Sequence, residues 1–121
     1  MSLYADYLRE EEGRKIIETE KGFITYEVIV DDTSQSAKEM FINELFVHGD
    51  FRDQGFAKEL VEAVSLEAKG KGLKEMTCYV WLDAKRPKYT TEKIGKFIHH
   101  GFMVVALTQN TIVMKKDLRG N

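Results

Sequence analysis

Hydrophobic and polar residues alternate along the first part of the chain, a pattern typical of β-strands that bury one face. Ile24, Tyr26, Val28 and Val30 share one face of a strand, and the tight turn Lys21-Gly22 joins it to an earlier strand in a predicted hairpin. The predicted elements here are a short helix at Leu3–Leu8 capped by Ser2, strands at Arg14–Glu20, Phe23–Val30 and Glu39–His48, and a polar loop at Asp31–Ser36.

After this point the period changes, and apolar residues recur every three or four positions, as they do in helices. The apolar stripe of a helix at Phe56–Lys69 consists of Ala57, Leu60, Val61, Val64 and Ala68. The remaining predicted elements are a strand at Met76–Leu82, a loop at Asp83–Tyr89, a helix at Thr91–His100 with Ile94, Phe97 and Ile98 facing inward, and a hairpin of Phe102–Leu107 and Thr111–Lys116. A helix that joins two strands in this order predicts an α/β (α+β) fold: a mixed, mostly antiparallel sheet with a central parallel strand pair and flanking helices.

Composition and charge narrow the class of protein. The 121 residues suffice for one domain, 1–121, and contain 43% hydrophobic and 31% charged residues, as globular proteins do. A net charge of -2 gives no general attraction to nucleic acid or anionic membranes. The N-terminus lacks the form of a signal peptide, and the single cysteine, Cys78, excludes an internal disulfide and a cysteine-based zinc site. We therefore expect a small cytoplasmic domain without nucleic-acid or membrane partners.

One segment has the form of an anion-binding turn. A strongly apolar strand is followed by a short turn and then by a helix whose beginning contains the small residues Gly55 and Ala57. A helix N-terminus offers unpaired N–H donors and a partial positive charge, and Arg52 and Lys58 add cations on either side. The turn is therefore either a cradle for a phosphate or pyrophosphate, or an ordinary connection in which Gly55 serves geometry alone.

The spacing Arg52-x-x-Gly55-x-Ala57 after this strand resembles the Arg/Gln-x-x-Gly-x-Gly/Ala signature of the GNAT superfamily of acetyl-CoA-dependent N-acetyltransferases. The helix end Phe97-Ile98-His99-His100-Gly101-Phe102 is similar to that family's last helix, which runs into a Gly-Phe pair. The resemblance extends over Arg14 to Leu118 and includes the order of the strands.

The resemblance implies that the backbone N–H groups of the turn bind the pyrophosphate of coenzyme A, with acetyl-CoA as cosubstrate and no metal. The thioester is expected between the third strand and the parallel strand at Cys78–Trp81, where the N–H of Phe46 or Val47 would polarise its carbonyl. Phe97 is expected to pack on the pantetheine arm. The expected cofactor-binding residues are Leu45, Phe46, Val47, Arg52, Gln54, Gly55, Phe56, Ala57, Lys58 and Phe97.

Two residues of the third strand are candidates for the base that removes a proton from the acceptor amine. Strict alternation puts Glu44 on one face with Met40, Ile42 and Phe46, among apolar neighbours that suit a carboxylate for proton abstraction near neutral pH. The alternative is an ion pair between Glu44 and a basic residue of the adjacent strand, and a bulge would change the face. The second candidate is His48, whose alternative is a partly exposed loop histidine.

Two departures from the family pattern leave open whether the protein is catalytically active. Phe97 stands where the family frequently has a tyrosine as general acid, so the leaving thiolate depends on solvent, Tyr79 or Tyr89, or leaves unaided. Only residues 1–13 precede the first predicted strand, where the family usually has a further strand and two helices. The acceptor site is therefore either open to solvent or completed by a second copy of the chain. Both a monomer and a homodimer are consistent with the sequence. The loop at 83–89 contains three basic residues, Lys85, Arg86 and Lys88. They either bind the 3′-phosphate of coenzyme A or an acidic substrate, or belong to a solvated surface loop.

The resemblance implies an N-acetyltransferase that moves an acetyl group from acetyl-CoA to a primary amine of a small molecule or peptide. The alternatives are a catalytically silent GNAT-fold module that binds acyl-CoA or a protein partner, and a domain whose turn holds no ligand.

The remaining chemistry-bearing residues have structural interpretations. Neighbouring helix positions point about 100° apart, which makes His99 and His100 poor partners for one metal ion. Cys78 is expected to be a small buried hydrophobe. Tyr79 and Trp81 share a strand face and either stack on a ligand or pack in the core.

Overall fold

The computed structural model describes residues 3–30, 33–34 and 37–119. Helix α1 (Leu3–Tyr7) continues into one turn of π-helix (Leu8–Glu12). The strands and longer helices are β1 (Lys15–Glu18), β2 (Gly22–Val30), β3 (Ala37–Val47), α2 (Phe56–Gly70), β4 (Glu75–Trp81), α3 (Pro87–His99), β5 (Met103–Leu107) and β6 (Thr111–Asp117). Their order agrees with the sequence prediction. Ser2 and most of the loop at 31–36 lie outside the described residues.

Within these residues six strands form one sheet in the order β1-β2-β3-β4-β6-β5. β3 and β4 run parallel, and every other neighbouring pair is antiparallel. The predicted mixed sheet with a central parallel pair is therefore confirmed.

The main core lies between α2, α3 and one side of the sheet, which we call the helix face. The α2 stripe buries Leu60, Val61, Val64 and Ala68 in the same cluster as Phe97 of α3. α3 begins at Pro87 rather than at Thr91, because proline is well suited to the first helical position. The inward assignment of Ile98 is wrong: the side chain is 54% exposed, since it is turned about 100° from Phe97 on the helix. No helix in the described part of the chain is long and apolar enough to cross a membrane.

The opposite side of the sheet, the far face, has much less cover. α1 lies on it, with Ala5 and Leu8 buried and the Tyr4 ring edge-on to Phe23. Farther along the sheet, Tyr79 and Trp81 alternate with the buried Cys78 and Val80, and 46% and 66% of their surfaces are exposed. The interpretation of Tyr79 and Trp81 as core residues is therefore wrong.

A bulge in β3 changes the alternation on which the sequence analysis relied. Tyr26 pairs with Ile42, but Thr25 pairs with Glu44, so Asn43 is an extra residue. The Asn43 amide donates to Glu27 on β2 at 3.0 Å, which holds the bulge. Beyond Asn43, Leu45 and Val47 pack on the core and Phe46 is exposed.

Candidate active site

The central feature is a gap that opens in the sheet between the two parallel strands. β3 and β4 pair at Met40–Met76, Phe41–Thr77 and Ile42–Cys78, and at no later described position. A cleft of about 970 Å³ occupies the space beyond, bounded by the rest of β3, the beginning of α2 and one side of α3. A gap is therefore present between β3 and β4, the two strands between which the family resemblance implies the thioester.

One end of the cleft is the first turn of α2. Gly55 precedes the helix with φ 88°, a left-handed conformation that favours glycine, and a Cβ at this position would meet open space. Glu59 N–H donates to the Gly55 carbonyl at 3.1 Å, the first bond of the helix. The N–H groups of Phe56, Ala57 and Lys58 therefore have no partner within α2 and are available to an anion.

Side chains hold this turn in place. Arg52 Nε donates to the Val47 carbonyl at 3.0 Å, and Gln54 Nε2 donates to the Asp50 carbonyl at 3.1 Å. His48 Nδ1 accepts from the Asp50 N–H at 3.2 Å. Arg52 thus fastens the turn to the end of β3, and exposed His48 is a loop histidine, as its alternative interpretation held.

Basic side chains line this end of the cleft. Lys58, His99 and His100 line the cleft. Burial lowers the pKa of His100, and the charges of His99, Lys116 and Lys58 lower it further, while Glu62 opposes them. Nδ1 of His100 is buried and has no hydrogen-bond partner among the described residues. These effects favour the neutral form of His100, so Lys58 is the cation that this wall offers to a negatively charged ligand.

The backbone of β3 offers donors to the middle of the cleft. His48 N–H donates to the carbonyl of Lys21, which directly precedes β2. Amide directions alternate along a strand, so the Phe46 N–H also points to β2 and the Val47 N–H points into the gap. Of the two amides that the sequence analysis considered for a thioester carbonyl, Val47 has the suitable direction.

Glu44 lines the cleft, but the environment that the sequence predicted for it is wrong. The bulge at Asn43 moves Glu44 to the face opposite Met40 and Ile42, and its side chain is exposed. The Tyr4 hydroxyl and the Thr25 hydroxyl both donate to Glu44 Oε1, the latter at 3.2 Å. The alternative of an ion pair with a basic residue of the adjacent strand is wrong as well, since the partners are these hydroxyls.

Three aromatic residues of the cleft bear on the missing general acid. Phe97 lines the cleft, and its ring is edge-on to Phe102 at 5.3 Å. Tyr79 and Tyr89 also line it. Cys78, at the apex of the gap, is 1% exposed, and burial raises the pKa of its thiol to about 12, as expected of a buried hydrophobe.

Some predicted residues lie elsewhere. Gln54 and the basic loop residues are not among the described residues that line the cleft. Arg86 donates to Asp83 at 2.9 Å and lies over Tyr89, which agrees with a solvated loop. The rings of His99 and His100 are 5.8 Å apart and inclined at 64°, and the expectation of no metal stays a prediction.

Sequence analysis missed Tyr4 and Thr25. Tyr4 lies on a short predicted helix, far from Glu44 along the chain, and no motif or spacing in the sequence relates the two residues. Thr25 is fully buried in β2, and only the register of β2 against β3 places it beside Glu44.

Comparison with solved structures shows the fold. PaiA N-acetyltransferase from Thermoplasma acidophilum, in complex with coenzyme A, is similar with a TM-score of 0.64 and 18% identity over 80% of this chain. This chain spans 53% of the length of that protein. An aminoglycoside 6′-N-acetyltransferase complexed with coenzyme A has a TM-score of 0.67 and 13% identity, over 96% of this chain and 78% of its own. Ard1 from Thermoplasma volcanium has a TM-score of 0.68 and 21% identity, over 95% and 77% of the two chains.

Comparison with curated protein sequences gives no match. A family model described as an acetyltransferase (GNAT) domain matches residues 5–104, most of the chain. The match includes β3, the turn before α2 and the helix that contains Phe97. The chain therefore belongs to the GNAT family of acetyltransferases.

Proposed function

We propose that this protein transfers an acetyl group from acetyl-CoA to a primary amine. The observation that carries the proposal is the single cleft that contains an anion-binding helix turn at one end and the carboxylate of Glu44 at the other. Family membership supports acetyl transfer in general, and the contents of the cleft support the choice of an amine.

The first turn of α2 fits the pyrophosphate of coenzyme A. Its free N–H groups face an open cradle with no side chain at Gly55, and Lys58 supplies positive charge. Structural neighbours that have been crystallised with coenzyme A support this assignment. The proposed binding residues are Arg52, Gln54, Gly55, Phe56, Ala57 and Lys58 at the turn, and Leu45, Phe46, Val47 and Phe97 along the cleft. Arg52 and Gln54 act by holding the turn.

The proposed reaction is a direct transfer in the gap between β3 and β4. The thioester supplies an activated acetyl carbon, and the Val47 N–H stabilises negative charge on its oxygen. The amine nitrogen bonds to that carbon, its proton passes to Glu44, the C–S bond breaks, and the thiolate takes a proton from solvent. Glu44 needs only to reach the proton, directly or through one water.

The acceptor is proposed to be a small-molecule or peptide amine. The far face at Glu44 is bounded by exposed aromatic side chains, including Phe46 and Tyr79, which suit an amine with apolar groups. We propose that the protein works in the cytoplasm as a monomer or homodimer.

The first test is thermal unfolding with and without acetyl-CoA. At a concentration 100 times the dissociation constant, a ligand of the native state stabilises it by about 2.7 kcal/mol. For a domain of this size, that is a rise in Tm of roughly 10 °C. No rise at millimolar acetyl-CoA would contradict the proposal.

The second candidate function is a silent module that binds acyl-CoA, and Phe97 in place of a phenol favours it. A panel of primary amines with detection of released thiol separates the two. Thiol release that depends on an amine identifies the enzyme, and a Tm rise without release identifies the silent module.

A further inference from the structure

Helix α1 covers the far face beside Glu44. Its Tyr4 hydroxyl donates to Glu44 Oε1, and this hydrogen bond raises the pKa of Tyr4 to about 12, with burial and the charge of Glu44 adding to the effect. An exposed carboxylate on a strand has no local reason to be held in this way. A phenol from a different element has been brought to it.

Tyr4 is itself fixed by packing. Ala5 and Leu8, which follow it, are buried and anchor this segment to the sheet. The Tyr4 ring meets Phe23 edge-on at 6.0 Å, and Phe23 meets the ring of Phe46 at 5.7 Å. The phenol therefore approaches Glu44 from a defined direction.

The hydrogen bonds to Glu44 are unequally shared between its two oxygens. Tyr4 and Thr25 both donate to Oε1. Oε2 has no hydrogen bond from any described residue. Two donors on one oxygen fix the plane of the carboxylate and leave the other oxygen able to accept a proton.

We propose that Tyr4, together with Thr25, is a positioning residue that holds Glu44 by Oε1 and leaves Oε2 for the proton of the acceptor amine. This inference rests on the proposed function, because it takes Glu44 as the base. It assigns to α1 the role of holding Glu44 from the far face of the sheet. Neither residue needs to touch the substrate, since each acts through Glu44.

The kinetic test compares Tyr4→Phe with Tyr26→Phe, a control that removes a phenol hydroxyl donating to Glu67, since neither Tyr26 nor Glu67 is among the described residues that line the cleft. Loss of one hydrogen bond to a charged group is expected to lower kcat about tenfold. The KM for acetyl-CoA and the Tm rise that acetyl-CoA causes should not change. Thr25→Val, which keeps the shape of the buried side chain, should lower kcat in the same way even if Tyr4→Phe disturbs α1. In a Glu44→Gln background, Tyr4→Phe should have little further effect.

A second readout does not depend on activity. In protein carrying ¹³Cζ-tyrosine, the Tyr4 signal, assigned by its loss in Tyr4→Phe, should not titrate between pH 9 and 11. In Glu44→Gln the same signal should titrate at a lower pH than in the wild type, because the charged acceptor is lost while the burial of Tyr4 remains. A wild-type Tyr4 that titrates near 10, the ordinary value for tyrosine, would overturn the inference, because the hydrogen bond would not exist in solution.

The outcomes separate the two levels of the proposal. No Tm rise with acetyl-CoA in the wild type overturns the proposed function and this inference with it. A Glu44→Gln variant as fast as the wild type overturns Glu44 as base and hence its positioning. If Glu44→Gln lowers kcat but Tyr4→Phe and Thr25→Val both keep the kcat of the wild type, the positioning role is overturned while the proposed function stands.

Discussion

The two ends of the cleft obtain their polar groups in different ways. At the end formed by the first turn of α2, which we call the anion end, the donors are backbone N–H groups of consecutive residues. At the other end, around Glu44 and the gap between β3 and β4, which we call the reaction end, the polar groups beside the Val47 N–H are side chains from α1, β2 and β3. The anion end is local in sequence, and the reaction end is assembled from distant segments.

This difference determines what each end can tolerate. Backbone donors do not depend on side-chain identity, so the anion end is sensitive mainly where a side chain would fill the cradle or strain the turn. The reaction end depends on individual hydroxyl and carboxylate groups and on strand register. Substitutions at the anion end should therefore alter binding, and those at the reaction end should alter turnover.

The largest expected effect is the loss of binding in Gly55→Asp. The new carboxylate would lie in the anion cradle, at a residue with φ 88°, and acetyl-CoA should no longer raise Tm, although the domain should fold. Gly55→Ala adds the strain, about 1–2 kcal/mol, without the charge, and should keep measurable binding. Gly70→Asp adds the same charge at the other end of α2, also in open space, and should bind normally. If acetyl-CoA raises the Tm of Gly55→Asp as much as that of the wild type, the anion end does not bind acetyl-CoA.

The next effect is a loss of turnover in Glu44→Gln, with binding unchanged. Removal of a general base is expected to lower kcat about 100-fold. The Tm rise with acetyl-CoA should match that of the wild type. Glu20→Gln, in the exposed turn between β1 and β2, controls for the loss of one negative charge. Equal kcat in both variants would exclude Glu44 as the base.

A gain of turnover is expected in Phe97→Tyr. The side chain lines the cleft, and a phenol there would donate a proton to the leaving thiolate, raising kcat about tenfold. Phe102→Tyr adds the same hydroxyl to the ring that packs against Phe97, outside the lining of the cleft, and should give no gain. A kcat of wild-type size in a stable Phe97→Tyr would show that the thiolate needs no acid at this position.

The smallest effect is on stability at low pH. The pKa of His100 is lower in the folded protein than in the unfolded chain, because of burial and the charges of His99, Lys116 and Lys58, against Glu62. The stabilisation by neutral His100 is therefore present above the unfolded pKa near 6.5 and is lost as pH falls. His100→Gln should reduce the fall in Tm between pH 7 and 5 by a few degrees, at about 4 °C per kcal/mol. Equal slopes in the wild type and in His100→Gln would contradict this assignment.

Much of the fold could be predicted because its signals are local. The α2 stripe, the hairpin of β5 and β6 and the order of elements follow from periodicity and turn residues. Errors arose where a neighbour decides the outcome. Ile98 is apolar but exposed, because α3 meets the sheet along a narrow stripe. Tyr79 and Trp81 are exposed because α1 covers only part of the far face.

The site divides in the same way. The anion end could be predicted because Gly55, Ala57 and the helix start are adjacent in sequence. The surroundings of Glu44 could not, because strict alternation fails at Asn43, and a bulge depends on how β2 and β3 pair.

The sequence by itself determined the elements, their order and the helix turn that offers N–H groups to an anion, since these depend on residues within one or two turns of each other. Only the tertiary structure decided which face Glu44 occupies, that Tyr4 and Thr25 hold it, and that the gap between β3 and β4 meets the turn in one cleft. The physical reason is that strand register, bulges and contacts between distant segments are set by packing of the whole sheet rather than by any local preference.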